Sequence, residues 1–234
     1  MRSTAPIQAV LFDLDGTLAD SEIHTDTAIR VVAERHGVPG FSLPNTETRG
    51  RTWEHVAGIM RARSGIALAD AALAHELLAH WMEIAADVKP VPGSPEAVRE
   101  AARSLKLAVV SSSPRSVIDS FLAKLGIADC IAPAARIGGD AVSRSKPDPE
   151  GFLKGARALG ADPSSSLVFE DSHAGLLAAR AAGMRSMFIT CCAADVPANR
   201  PLASASCTDY RSLPPRFWAR IADGTLELNG QEYA

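Results

Sequence analysis

The sequence predicts an α/β protein: a parallel sheet covered by helices, with an all-helical stretch inserted after its first strand. Three observations predict it. From about residue 95 onward, short apolar runs alternate with helical patterns, as strand–helix–strand crossovers require. Another apolar run, residues 7–12, stands alone far upstream. Between the two, residues 21–88 show helical periodicity and no convincing strand, and the block closes on the loop signal Lys89-Pro90-Val91-Pro92-Gly93-Ser94-Pro95. The expected division is a discontinuous core, residues 1–19 and 90–234, with a helical cap over 20–89.

The first strand, 7–12, is short and continuously apolar, as a strand buried on both faces should be. In the inserted block, Asp20 or Ser21 can cap a helix running to about His36, which Gly37-Val38-Pro39-Gly40 ends. Two further helical patterns cover roughly 51–63 and 69–86. After the break, helices over about 95–105, 116–125, 149–159 and 172–182 alternate with strands over 107–111, near 130–131, 166–171 and 185–189. In the tail, 195–201 reads as loop, 216–222 as a short helix, and 226–231 as a hairpin around Asn229-Gly230. Such a core is Rossmann-like.

Composition narrows the function. Of 234 residues, 47% are hydrophobic and 22% charged, with a net charge of −3 and no basic stripe, so nucleic acid is not expected as a partner. No apolar run approaches a membrane span and no secretory leader precedes the first strand, which predicts a cytoplasmic protein, a monomer or weak homodimer. The four cysteines form no CxxC pair and are expected to be reduced. His75 and His80 resemble a zinc-binding pair, but five residues place them about 140° apart on a helix.

Chemistry-bearing residues gather where strands end. The first strand stops at Asp13-Leu14-Asp15-Gly16-Thr17. Asp13 should face the crevice at the carboxyl edge of the sheet, with Asp15 pointing back from the loop. Gly16 lets the chain turn and backbone amides approach a small anion. Two carboxylates this close need a cation or a proton between them, which suggests a divalent metal and phosphate chemistry. The second strand ends in Ser111-Ser112-Ser113-Pro114, either an anion cradle or simply a helix cap. Lys146 lies between Ser145 and the rigid run Pro147-Asp148-Pro149. Phe169-Glu170-Asp171-Ser172 closes another strand with a second acidic pair, oxygen ligands of the kind Mg²⁺ prefers.

In this order the four stretches resemble the motifs of the haloacid dehalogenase superfamily of phosphotransferases, over residues 10–189. The resemblance implies Asp13 as nucleophile and metal ligand, and Asp15 as general acid/base with its backbone carbonyl on the metal. It implies Asp171 as a direct Mg²⁺ ligand and Glu170 as a ligand or its support. Ser111, the amide of Ser112, Lys146 and Gly16 would bind phosphate. The Phe-Glu-Asp-Ser form, the cap and the Lys146 loop are similar to the β-phosphoglucomutase-like subgroup, which contains sugar-phosphate phosphatases and mutases. The implied partner is a small phosphorylated metabolite, and Arg49, Arg51 and His24 are candidate specificity residues. Two departures count against a mutase. Trp53 stands where the mutases carry Arg, and His24 falls one residue short of their His position, Thr25. A phosphatase acting on a sugar or polyol phosphate is expected; a hexose-phosphate mutase and an idle binding protein on the same fold are the alternatives.

Overall fold

The computed structural model describes residues 6–21 and 23–234. Residues 1–5 and Glu22, including the N-terminal stretch searched for a leader and part of the first predicted helix, lie outside the described residues.

Strand β1 (Ala9–Phe12) is wholly buried, and its neighbours in the sheet explain why. The chain then forms β2 (Ala19–Asp20) and four helices: α1 (Ile23–Arg35), α2 (Asn45–Thr48), α3 (Trp53–Ser64) and α4 (Asp70–Ile84). It returns through β3 (Lys89–Pro90), which pairs antiparallel with β2, Ala19 opposite Pro90 and Asp20 opposite Lys89. The helical stretch thus leaves and re-enters the sheet layer through one two-stranded ribbon. Helix α4 packs against both α1 and α3. Ala28, Ile29 and Val32 of α1, Val56 and Met60 of α3, and Leu73, Leu77 and Trp81 of α4 form its buried faces. Thr52 caps α3 and left-handed Gly65 ends it.

The alternating part follows as α5 (Ser94–Ala101), β4 (Lys106–Val110), α6 (Arg115–Lys124), β5 (Arg136–Ile137), α7 (Glu150–Ala158), β6 (Ser166–Glu170), α8 (His173–Ala181) and β7 (Arg185–Ile189). The tail adds α9 (Val196–Asn199), β8 (Ala205–Cys207), α10 (Phe217–Ala222) and β9 (Gln231–Tyr233). The seven-stranded parallel sheet runs β5-β4-β1-β6-β7-β8-β9. β1 lies between β4 and β6, with Phe12 beside both Val109 and Phe169. The three strands that end in the polar motifs are therefore immediate neighbours, and the crevice opens where the strand order reverses.

Three local expectations are corrected. The strand expected near 130–131 is a tight turn, Ala128–Cys130, and the edge strand comes later, at Arg136–Ile137. The Arg136 guanidinium satisfies the carbonyls of Ala128 and Ile131 at 2.5 and 2.7 Å, replacing the ladder bonds a strand would need. Within the expected loop at 195–201, Asp195 accepts from the Ala198 amide and opens the short helix α9. The Asn229-Gly230 turn makes no hairpin. Gly230 N donates to Ser204 O at 2.7 Å, and β9 extends the sheet in parallel beside β8, a strand the sequence reading missed.

The tail is integral to the core. Phe169 sits 5.3 Å from Phe12, 5.4 Å from Tyr210 and 5.5 Å from Trp218, centroid to centroid. Such ring pairs contribute roughly 0.5–1.5 kcal/mol each beyond the area they bury. They pin the tail behind the two central strands and fix where those strands end. All four cysteines are free thiols. No helix among the described residues is long and apolar enough to cross a membrane.

Candidate active site

Asp13 follows β1 directly, its amide donating to Phe169 O at 3.0 Å, and it is 4% exposed. Glu170 ends β6 and Asp171 follows it, so both acids arrive beside Asp13 from the neighbouring strand. Ligand oxygens of Asp13, Glu170 and Asp171 lie within 4.8 Å of one another, and all three residues are buried. Lys146, reaching in from the loop before α7, is 6% exposed. Its ammonium donates to Asp13 Oδ1 and, at 2.5 Å, to Glu170 Oε1. Phe152 closes the other side, its ring centroid 5.0 Å from Nζ.

Three buried carboxylates converge here, and Lys146 bonds two of them, Asp13 and Glu170. Burial holds the Asp13 carboxyl well above the usual carboxylate range; Lys146 opposes this, and Glu170, Asp171 and Asp15 reinforce it. A hard divalent cation fits this donor set, which is all oxygen and acidic. Glu170 is also held from behind: its Oε2 accepts from Ser172 N at 2.8 Å and Ser172 Oγ at 2.9 Å. Thr17 donates to Asp171 Oδ1 at 3.3 Å.

Asp15 is held differently. Its carboxylate accepts from Ser21 at 2.7 Å, Ser111 at 3.1 Å and Ser113 at 2.8 Å, and stands outside the three-acid group. The Ser111 hydroxyl expected for phosphate is donated here to Asp15. That of Ser112 goes to Gly50 O at 2.8 Å. At the Gly16 turn the residue's own amide donates to Ala19 O at 2.7 Å. The turn also requires a glycine sterically. At φ +78° a Cβ on residue 16 would come within 2.3 Å of Asp171 Oδ2.

The helical segment closes over this site. Arg51 Nη1 donates to Lys146 O at 3.0 Å, and a Cβ on Gly50 would lie 2.3 Å from Ser172 Oγ. Between segment and sheet edge lies a cleft of about 30 Å³ bordered by Asp13, Asp15, Thr25, Arg51, Trp53 and Trp81. The candidate specificity residues divide. Arg51 borders this cleft. Arg49 borders a separate cavity of about 240 Å³ with Asp171 and His173. Thr25, and not the expected His24, lines the cleft, because one residue along α1 turns the side chain about 100°. Ser21, Ser113, Thr25 and Trp81 are the site residues that sequence reasoning missed. Ser113 was visible only as the third serine of a run, and Ser21 only as a helix cap.

The haloacid dehalogenase-like hydrolase family matches residues 10–189 of the chain. The validoxylamine A 7'-phosphate phosphatase of Streptomyces hygroscopicus subsp. limoneus is 35% identical over 185 residues, 78% of this chain and 85% of that protein. Hexitol phosphatase B of Escherichia coli (strain K12) is 30% identical over 196 residues, 81% and 86% of the two chains. A solved β-phosphoglucomutase from Clostridium difficile superposes with a TM-score of 0.78 at 20% identity, covering 94% of this chain and 98% of that one, a likeness of fold. The chain belongs to the haloacid dehalogenase-like hydrolases.

Proposed function

We propose that the chain hydrolyses a small phosphomonoester, a sugar or polyol phosphate, with Mg²⁺, through an aspartyl-phosphate on Asp13. The observation that carries this reading is the division of labour between the two first-loop acids. Asp13 lies in the acidic group with Lys146 on one oxygen, while Asp15 is held apart by three hydroxyls. The named activities of the two relatives support phosphate ester hydrolysis.

A carboxylate oxygen of Asp13 attacks phosphorus and the ester P–O bond breaks. Protonated Asp15 gives its proton to the leaving oxygen. It then takes one from the water that attacks the aspartyl-phosphate, which frees phosphate and restores Asp13. Lys146 and the Ser111 hydroxyl, once turned from Asp15, steady the transferring group's oxygens, with the Ser112 amide beside them. Asp13, Asp171 and the Asp15 backbone carbonyl would hold Mg²⁺, with Glu170 joining or supporting them. Bound there, Mg²⁺ would neutralise charge on the phosphoryl oxygens. The core comprises residues 1–19 and 90–234 and the cap 20–89. A 30 Å³ cleft cannot admit a sugar-sized leaving group, so the cap opens for entry and closes for reaction.

Phosphate release from a panel of phosphorylated sugars and polyols with Mg²⁺ tests the reading. Wild type should release phosphate, and Asp13→Asn should lose roughly a thousandfold or more. Isomerised sugar phosphate without free phosphate would indicate a mutase instead, and no turnover across the panel a binding protein.

A further inference from the structure

Trp81 on α4 is 2% exposed, and its Nε1–H finds no acceptor among the described residues. The indole is firmly oriented. It stacks on Phe121 of α6, with centroids 5.5 Å apart and planes 26° apart, and meets Trp53 edge-on at 5.7 Å and 61°. It borders the cleft that holds Asp13 and Asp15. Folded proteins rarely leave a buried donor unpaired, because the donor has surrendered its bond to water. Here the indole that carries the donor borders the space that the leaving group must fill. The neighbouring Arg51 gives Nη1 to the Lys146 carbonyl.

We propose that the Trp81 indole N–H donates a hydrogen bond to a hydroxyl or ring oxygen of the leaving group, selecting phosphate esters of polyhydroxylated skeletons over esters of apolar or phenolic alcohols. The inference rests on the phosphatase reading and adds to it the residue that selects the polyhydroxylated leaving group. Because Phe121 belongs to the sheet's helical layer and Trp81 to the inserted segment, the donor is aligned only when the segment is seated. Recognition of the leaving group is thereby coupled to closure. A site built to bond a substrate hydroxyl rejects an analogue lacking it far more strongly than an apolar pocket rejects an extra group.

The test compares a hexitol phosphate with phenyl phosphate, whose leaving group carries no other oxygen. Trp81→Phe keeps an aromatic ring for Phe121 and removes the N–H. Its kcat/KM on the hexitol phosphate should fall roughly ten- to hundredfold, mainly through KM, with phenyl phosphate changed less than about twofold. An equal loss on both esters makes Trp81 merely structural and overturns the proposal, as does an unchanged hexitol phosphate KM. Should the variant not fold, wild type alone decides. Hexyl phosphate, of similar length without hydroxyls, should be at least about tenfold poorer than the hexitol ester, and parity overturns the inference. Wild type inactive on all three esters refutes the phosphatase reading, and this inference with it; activity without discrimination refutes this inference alone.

Discussion

Ser113 donates its hydroxyl to Asp15 Oδ2 at 2.8 Å across 98 residues of chain. Ser111 shares that oxygen at 3.1 Å and Ser21 holds the other at 2.7 Å. Ser111 must release Asp15 if it is to meet a phosphoryl group, which leaves Ser113 and Ser21 to keep the carboxylate aimed. Ser113→Ala should therefore lower kcat about tenfold with little change in KM, and Ser113→Thr should recover most of it. Steady-state kinetics decide; a KM effect without a kcat effect would place Ser113 in ground-state binding instead.

Lys146 is the buried counter-charge for Asp13 and Glu170. Lys146→Met keeps the chain length and leaves those carboxylates uncompensated. In the absence of divalent cations the loss of stability should be about 3–5 kcal/mol. Added Mg²⁺ should narrow the gap, because a ligand that binds only the folded state stabilises it. Urea unfolding of both proteins with and without Mg²⁺ measures this; a gap insensitive to Mg²⁺ argues against a cation among these acids.

Gly175 in α8 stands so close to Glu170 that a Cβ there would come within 1.7 Å of Oε1. Gly175→Ala must push Glu170 out of place. Stability should fall by roughly 1–3 kcal/mol, as overpacking does. The Mg²⁺ concentration for half-maximal activity should rise about tenfold or more, because the acid that binds or supports the cation has shifted. An unchanged Mg²⁺ titration would mean that Glu170 is not involved in holding the cation.

Glu150 steadies the loop that delivers Lys146. Its carboxylate accepts from Lys154 at 2.7 Å and from the Ser143 and Arg144 amides at 3.0 Å each. The Lys154 bond first, then the amides, hold its pKa down at about 2. A folded-state pKa below the unfolded one stabilises the fold above the ordinary glutamate range, and this contribution is lost as pH falls toward about 2. Wild type should thus melt above Glu150→Gln at neutral pH, and the difference should shrink between about pH 4.5 and pH 2. A melting difference constant across that window would contradict the assignment.

The parts legible in sequence were those where one residue type has few uses at one place. Paired acids ending two strands, and a lysine among prolines, named Asp13, Glu170, Asp171 and Lys146 before any geometry. Hydroxyls carry little such information. Ser113 looked like helix punctuation, and its bond to Asp15 depends on how β1 and β4 align. Gly16 was legible as a turn residue, but its close approach to Asp171, which leaves no room for a Cβ, depends on how β1 and β6 align. β9 was hidden because an Asn-Gly turn speaks for local pairing, while the vacant edge of β8 lies far away in sequence. Trp81 was unremarkable on a helix face, since only the packing of α4 against Phe121 and Trp53 brings it to the cleft.

The β2–β3 ribbon has a consequence for how such enzymes diversify. Residues 21–88 are a cassette whose two ends meet in the pairs Ala19–Pro90 and Asp20–Lys89. A replacement of any length needs only to begin and finish at that spacing for the seven-stranded sheet to remain as it is. Grafting the corresponding helices of a relative after Ser21 and before Lys89 would exchange the leaving-group wall while keeping the three-acid group and the Ser21 bond to Asp15, so the proposed phosphate chemistry could be readdressed to a different metabolite by moving one continuous piece of gene.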